Sequence, residues 1–250
     1  MTFNNRIILG GDFIGDEDGS EIISVIADSD FEDDNKGTYP DNLPILPLRN
    51  TVLFPGVVFP VTVGRDKSIK LIQDAYKGDK IIGVVAQKDQ NIEDPTAKDL
   101  YPVGTLAHIL KMLKMPDGNI TVIIQGKRKF KLDEITQEEP YFRGNITATT
   151  DSKANKGKET NATVSSIRDL ASQIVEVSPN IPSEASFALK NINSPNFLVN
   201  FISSNLNVSV DEKQEILELS VFKKKANRVL TYLDKELQML ELKNKIQSKV

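Results

Sequence analysis

The sequence predicts an α+β fold in two parts: a β-rich curved sheet or small barrel with one short helix, then an α-helical bundle ending in a long helix. Three observations carry this. Residues 43–64 form the densest apolar run, and prolines cut it at Pro44, Pro47, Pro55 and Pro60. Residues 102–134 hold two long alternating arms about a Pro-Asp-Gly turn. Beyond residue 161 the apolar period changes from two to 3.6.

The opening run is neither one helix nor a membrane span, because proline lacks the amide donor and its ring blocks a helix interior. It reads as two short strands, 43–48 and 57–63, joined by a turn at Phe54-Pro55-Gly56. Prolines within strands belong at edges, strand starts or bulges, so an irregular strand pair is expected to open the sheet. Asp66 is placed to cap a helix, whose core face is Ile69, Ile72, Ala75 and Tyr76 and which Gly78 ends. Residues 80–88 form a buried-type strand, followed by a polar loop to Asp99. The arms 102–114 and 119–134 make a hairpin, since proline presets one dihedral and glycine accepts a positive one. Phe130 and Leu132 share one face of the second arm, and Lys127, Lys129 and Lys131 the other. Residues 141–150 give a last strand.

Residues 151–160 are polar and mark a linker. Val164, Ile167, Leu170, Ala171 and Ile174 then lie on one helix, which ends near Pro179. A second helix spans 183–192. Ser194 before Pro195 signals a third helix start, with Phe197, Leu198, Phe201 and Ile202 as its core face. Asp211 caps a short helix carrying Ile216, Leu217 and Leu219. From Phe222 onward Ala226, Leu230, Leu233, Leu237 and Leu240 alternate steps of four and three, a coiled-coil-like stripe. The domains expected are an acidic leader over 1–42, a β-rich unit over 43–150, the linker, and a helical bundle over 161–250. With no stop signal before Val250, the chain reads as a fragment that ends inside a helix.

Composition narrows the function classes. The chain has 250 residues, no cysteine and one histidine, which removes disulfides and thiolate metal sites. Its net charge of −4 is uneven: residues 1–42 carry 11 acidic and 2 basic residues, or −9, and residues 43–250 carry +5. The leader is too polar and charged to offset the entropy of ordering. Nothing reads as a membrane span or targeting peptide, so a cytoplasmic location is expected. None of the 14 glycines falls in a phosphate-cradling GxxxxGK motif. His108 shares strand parity with Leu106, Leu110 and Met112 and reads as a half-buried sheet residue. Glu138 and Glu139 precede Pro140 in a solvated turn. No catalytic, cofactor-binding or metal-ligating constellation emerges, so the chain itself is expected to be neither an enzyme nor a cofactor carrier.

The residues also carry a resemblance. LPILPLRNTVLFPGVVFPVTVGR from residue 43, SIKLIQDA from 68, VVAQKD from 84, DLYPVGTLAHI from 99, LKMPDG from 113, VIIQGKRKF from 122 and PYFRGNI from 140 follow in order, and EKQEILEL from 212 and LQMLELKNKIQ from 237 continue the series. In that order they resemble the N-terminal, substrate-recognition domain of ATP-dependent Lon proteases, over residues 43–250 and without the leader. The resemblance implies a PUA-like β subdomain, a helical bundle and a long helix. It also implies a parent that is a homohexameric ATP-dependent serine protease of protein quality control. Its ATPase module, using ATP and magnesium, and its Ser–Lys protease module lie beyond this sequence. The partners implied are unfolded, misfolded or regulatory proteins and other subunits of the same protease, with no membrane.

Three surfaces are candidates for that work. Met112, Leu113 and Met115 at the hairpin tip suit client contact, because methionine adapts to varied apolar partners; the alternative is that they complete the sheet core. Lys127, Arg128, Lys129 and Lys131 form a basic surface that could meet nucleic acid, or simply a solvated sheet face. Leu237, Leu240 and Ile246 on the last helix are candidates for assembly, or pack within the bundle. Two further readings stay open: a stand-alone protein-binding adaptor, and a nucleic-acid-binding PUA-like barrel.

Overall fold

The structure, a computed structural model, describes residues 39–178, 181 and 184–247. The leader expected over 1–42 lies outside the described residues up to position 38, as do the helix start expected at Pro182 and Ser183 and the last three residues. The chain divides into a sheet unit, which runs to Asp151 and also takes Ser209–Glu218, and a helical unit of Ser152–Val208 with the chain from Leu219 onward.

The sheet unit holds β1 (Asn42–Leu48), β2 (Val58–Val63), α1 (Asp66–Lys77), β3 (Ile81–Ala86), β4 (Val103–Lys114), β5 (Ile120–Gln137) and β6 (Arg143–Ala148). The strand order is β2-β5-β4-β3-β1-β6, and a further β5–β6 pairing closes five strands into a barrel with β2 appended to β5. β1 pairs parallel with β3 and antiparallel with β6, whereas β2 pairs with β5. The expected β1–β2 pair therefore does not form. Among the described residues β2 borders only β5, so Pro60, which has no donor, sits on the edge of the described sheet.

Alternation divides the side chains between two cores. Leu43, Ile45, Val85, Leu106, Phe130 and Ile146 fill the barrel. Leu46, Leu48, Ile82, Val84, Ala107, Ile109 and Val122 line the other face, covered by Leu71, Ile72 and Ala75 of α1. Strands buried on both faces lose the polar half of the alternation, which is why 80–88 reads as one apolar run. Phe130 needs close backbone: a methyl at Gly104 would lie 2.8 Å from its Cζ and 2.6 Å from Val85 Cγ1. The turns expected at Gly56 and Gly118 use their freedom, with φ of 87° and 86°. β1 begins earlier than the sequence suggests. Tyr39 packs on the inner core, and Ile146 N–H donates to Asp41 O at 2.8 Å.

Two bulges correct the facing of residues. β5 has an extra residue between Gly126 and Lys129, and β4 has one between Ile109 and Lys111. The period-two rule slips by one at each. Met112 thus joins Ala107 and Ile109 instead of Leu106, and Lys127 leaves the alternation of Lys129 and Lys131.

The helical unit contains α2 (Lys158–Val177), α3 (Glu184–Asn191), α4 (Pro195–Asn205) and α6 (Phe222–Gln247). α2 and α4 both pack on α6. Ile167, Ala171, Ile174 and Val175 of α2 are buried, as are Phe222, Ala226, Val229, Leu233 and Leu237 of α6. Ser194 Oγ accepts from Phe197 N–H at 3.3 Å, so the cap read from the sequence forms. Arg168 donates to the Leu189 carbonyl and, at 2.9 Å, to the Ile192 carbonyl, which satisfies carbonyls at the end of α3. The linker is shorter than expected: α2 starts at Lys158, and Ser152 is bonded to Ser220, Phe222 and Asn196.

Helix α5 (Val210–Glu218) belongs to the sheet unit, although it follows the linker. Its cap is Ser209, not Asp211. Glu212 N–H donates to Ser209 Oγ at 3.2 Å and Ser209 N–H to Glu212 Oε2 at 2.8 Å, a reciprocal capping box. Asp211 is engaged elsewhere, accepting from Tyr101 OH at 2.5 Å.

Candidate functional site

The sheet unit carries a groove of about 380 Å³ at the start of α1. Ile45 and Pro47 of β1, Leu71 of α1, Pro95, and Tyr141 and Phe142 before β6 form its apolar wall. Gly64–Ser68 and the acids Glu93 and Asp94 form the polar side. A single junction builds it. Arg65, between β2 and α1, donates to Pro47 O at 3.1 Å, Gln87 Oε1 at 3.3 Å and Glu93 O at 3.2 Å. Gln87 donates to Asp89 O and Ile92 O, both at 2.6 Å. Arg65 and Gln87 thus hold the 89–95 loop against the barrel.

Charge at the groove is unevenly matched. Among the described residues, no carboxylate is hydrogen-bonded to Arg65. Burial, and then the Arg49 charge, push the guanidinium below its ordinary value, and Asp94 acts the other way. Lys67 spans the mouth, 2.7 Å from Glu139 and 3.7 Å from Asp94; the Glu139 hydrogen bond is the main cause of its raised pKa. Asp66 is the first residue of α1, with Arg65 in the cap position, and no side chain caps this terminus. The expected Asp66 cap does not form, and among the described residues no side chain accepts from the first N–H groups of the helix.

The sequence-derived candidates fare differently. At the hairpin tip, Met112 packs against the core under α1, Leu113 is half-buried, and only Met115, 43 % exposed, stands out. The basic surface is broken up. Lys129 is buried, with 4 % side-chain exposure, and donates to Asp151 and, at 3.0 Å, to the Leu217 carbonyl of α5. Lys127 and Arg128 are half-buried at the bulge, and Lys131 alone of the four is exposed. A solvated stripe of four cations is therefore corrected to one exposed lysine and a buried anchor for α5. On α6, Leu237 is buried and Leu240 half-buried, but Ile246 is 58 % exposed. Met239 and Leu242 are also exposed, and spacings of three and four put all three on one face. His108 is half-buried, as expected. Among the described residues, no group of three or more His, Asp and Glu side chains is arranged to hold a metal ion, and no helix is long and apolar enough to cross a membrane.

The groove was not legible as a site. Its parts come from residues 45–47, 64–71, 93–95 and 141–142, with no motif spacing. The one local signal was Arg65-Asp66 between a strand and a helix, which reads equally as a cap.

A barrel bearing a shallow groove, and a separate helical unit whose last helix carries exposed apolar residues, define a binding module. The chain belongs to the family of ATP-dependent protease La (LON) substrate-binding domains, whose family model matches residues 42–235. It is 53% identical over 232 residues to the Lon protease of Flavobacterium johnsoniae, covering 92% of this chain and 28% of that protein. It is 44% identical over 236 residues to the Lon protease of Cytophaga hutchinsonii, covering 94% and 29%. The chain thus spans under a third of the curated relatives it matches. Two solved structures share its fold at 16% identity. The N-terminal domain of a Mycobacterium avium complex Lon protease superposes with a TM-score of 0.63 over 77% of this chain and 98% of that one. A Lon N-terminal domain protein from Xanthomonas campestris gives 0.55 over 76% and 97%.

Proposed function

We propose that this chain is the client-capture region of an ATP-dependent serine protease of the Lon type, binding misfolded and regulatory proteins in the cytoplasm. In this reading it takes no cofactor. Fuel consumption, with ATP and magnesium, and peptide-bond cleavage belong to modules outside these 250 residues. The match of residues 42–235 to a substrate-binding domain family carries the reading. The apolar groove and the exposed Met115 are consistent with weak contacts to extended chains. Several subunits would convert such contacts into useful affinity. The exposed face of Met239, Leu242 and Ile246 is the surface we assign to assembly of the hexamer.

Binding of labelled β-casein, an unfolded protein, tests capture directly. The chain is expected to bind it without cleaving it, and Leu113→Ser with Met115→Ser should weaken binding while the thermal melt stays near wild type. Cleavage by the purified chain, or absence of binding at tens of micromolar, overturns the proposal. The broken basic stripe gives a nucleic-acid reading no specific support.

A further inference from the structure

The groove at the start of α1 presents hydrogen-bond donors that have no partner among the described residues. Ser68 is nearly buried, at 6 % exposure, and lines the groove. Its hydroxyl has no hydrogen-bond partner among the described residues. The α1 terminus above it has no side-chain cap. Arg65 commits three of its N–H groups to Pro47, Gln87 and Glu93. Of the five a guanidinium carries, Nε–H and one Nη2–H have no partner among the described residues. A helix N-terminus with its aligned dipoles, a hydroxyl and a guanidinium that lacks a hydrogen-bonded carboxylate together favour an anion.

The surroundings decide which anion. Leu71 and Phe142 beside Ser68 are apolar and buried, so the ligand brings hydrocarbon with its charge. Asp66, Glu93 and Asp94 are exposed at the mouth, with Asp94 near Lys67. They oppose a dianion or polyanion, such as a phosphate, and favour a single negative charge with basic groups behind it. We propose that this groove captures the C-terminal carboxylate of a client chain, its last apolar side chain lying against Leu71 and Phe142. The proposal rests on the substrate-binding reading above and names the end of the client that is read. Backbone amides and Ser68 Oγ donate to the carboxylate, Arg65 supplies the opposite charge, and the acidic rim accepts Lys or Arg a few residues upstream.

Fluorescence anisotropy on the full chain tests this with two labelled decapeptides of one lysine-containing sequence ending Leu-Leu. One is the free acid and the other the C-terminal amide, and labelled β-casein reports general client binding. The free acid is expected to bind about tenfold tighter, the usual scale for a charge-assisted hydrogen-bond set over a neutral one. Ser68→Ala should cut that preference to about threefold with the melting temperature unchanged. Ser68→Asp, an acid favoured in a first helical turn, should fold and abolish the preference by placing a fixed carboxylate in the groove. Equal affinity for acid and amide overturns the proposal, as does a preference that survives both substitutions. Casein binding without binding of either peptide removes the groove assignment and leaves the client-capture reading standing. Loss of all three removes both.

Discussion

Replacing Lys129 with methionine probes how α5 is held on the barrel. The ammonium donates to the Asp151 carboxylate and to the Leu217 carbonyl, and the two ionic side chains are only 4 % and 14 % exposed. Lys129→Met keeps most of the aliphatic stem but removes a counter-charge from a largely buried carboxylate. Breaking one side of a buried ion pair typically costs about 3–5 kcal/mol, whereas replacing both partners with apolar groups of similar size is often close to neutral. Lys129→Met is therefore expected to cost about 3 kcal/mol, Asp151→Leu a comparable amount, and the double variant about 1 kcal/mol, a strongly non-additive cycle. Urea unfolding gives the free energies. Native-state hydrogen exchange of the α5 amides locates the effect, because losing the Leu217 contact should raise their exchange ahead of the barrel strands. Additive single effects, or a Lys129→Met cost below about 0.5 kcal/mol, would falsify the buried-anchor account and return Lys129 to the solvated face.

The other predictions probe separate links in the chain of causes. Gly104→Ala should cost about 3 kcal/mol in urea unfolding, because the methyl meets Phe130 and Val85 at 2.8 and 2.6 Å and a strand must shift; a cost under 1 kcal/mol would show the barrel to be loosely packed there. Ser209→Ala removes the α5 cap and should cost about 1 kcal/mol, with a smaller effect once Glu212→Ala is already present, since the two bonds are reciprocal. Tyr101 has its pKa pushed up to about 12, by burial first and then by its bond to Asp211. A raised folded-state pKa favours the protonated form, so this stability is complete below the unfolded value near 10 and is lost as pH rises from about 10 through 12. Stability measured over that window should fall more steeply in wild type than in Tyr101→Phe; parallel curves would reject the coupling.

The elements themselves were largely legible, because each is a local consequence of residue pattern. Prolines excluded a helix at 43–64, Pro-Asp-Gly set the turn before β5, and Ser194-Pro195 set the start of α4. Legibility failed where two local signals compete. Asp66 and Asp211 both look like caps, but the caps fall at Arg65 and Ser209, one residue away from Asp66 and two from Asp211. The Ser209-Val-Asp-Glu212 spacing of a capping box was present in the sequence and outweighs the lone aspartate. The groove was invisible because its walls come from four separated stretches, and a bordering residue such as Leu71 looks like any core leucine.

The sequence alone determined the two-part α+β plan, its turns and most of its apolar faces, since period, proline and glycine act over a few residues. Tertiary structure alone decided which strands are neighbours, that β1 joins β3 and β6 rather than β2, and that α5 belongs to the barrel. It also decided that Lys129 lies buried. Bulges shift side-chain parity by one residue, and strand pairing is settled by contacts between distant residues, such as Asn42 with Asn145, 103 positions apart. No local pattern encodes these, because the free energy that selects them exists only once the distant partners are in place.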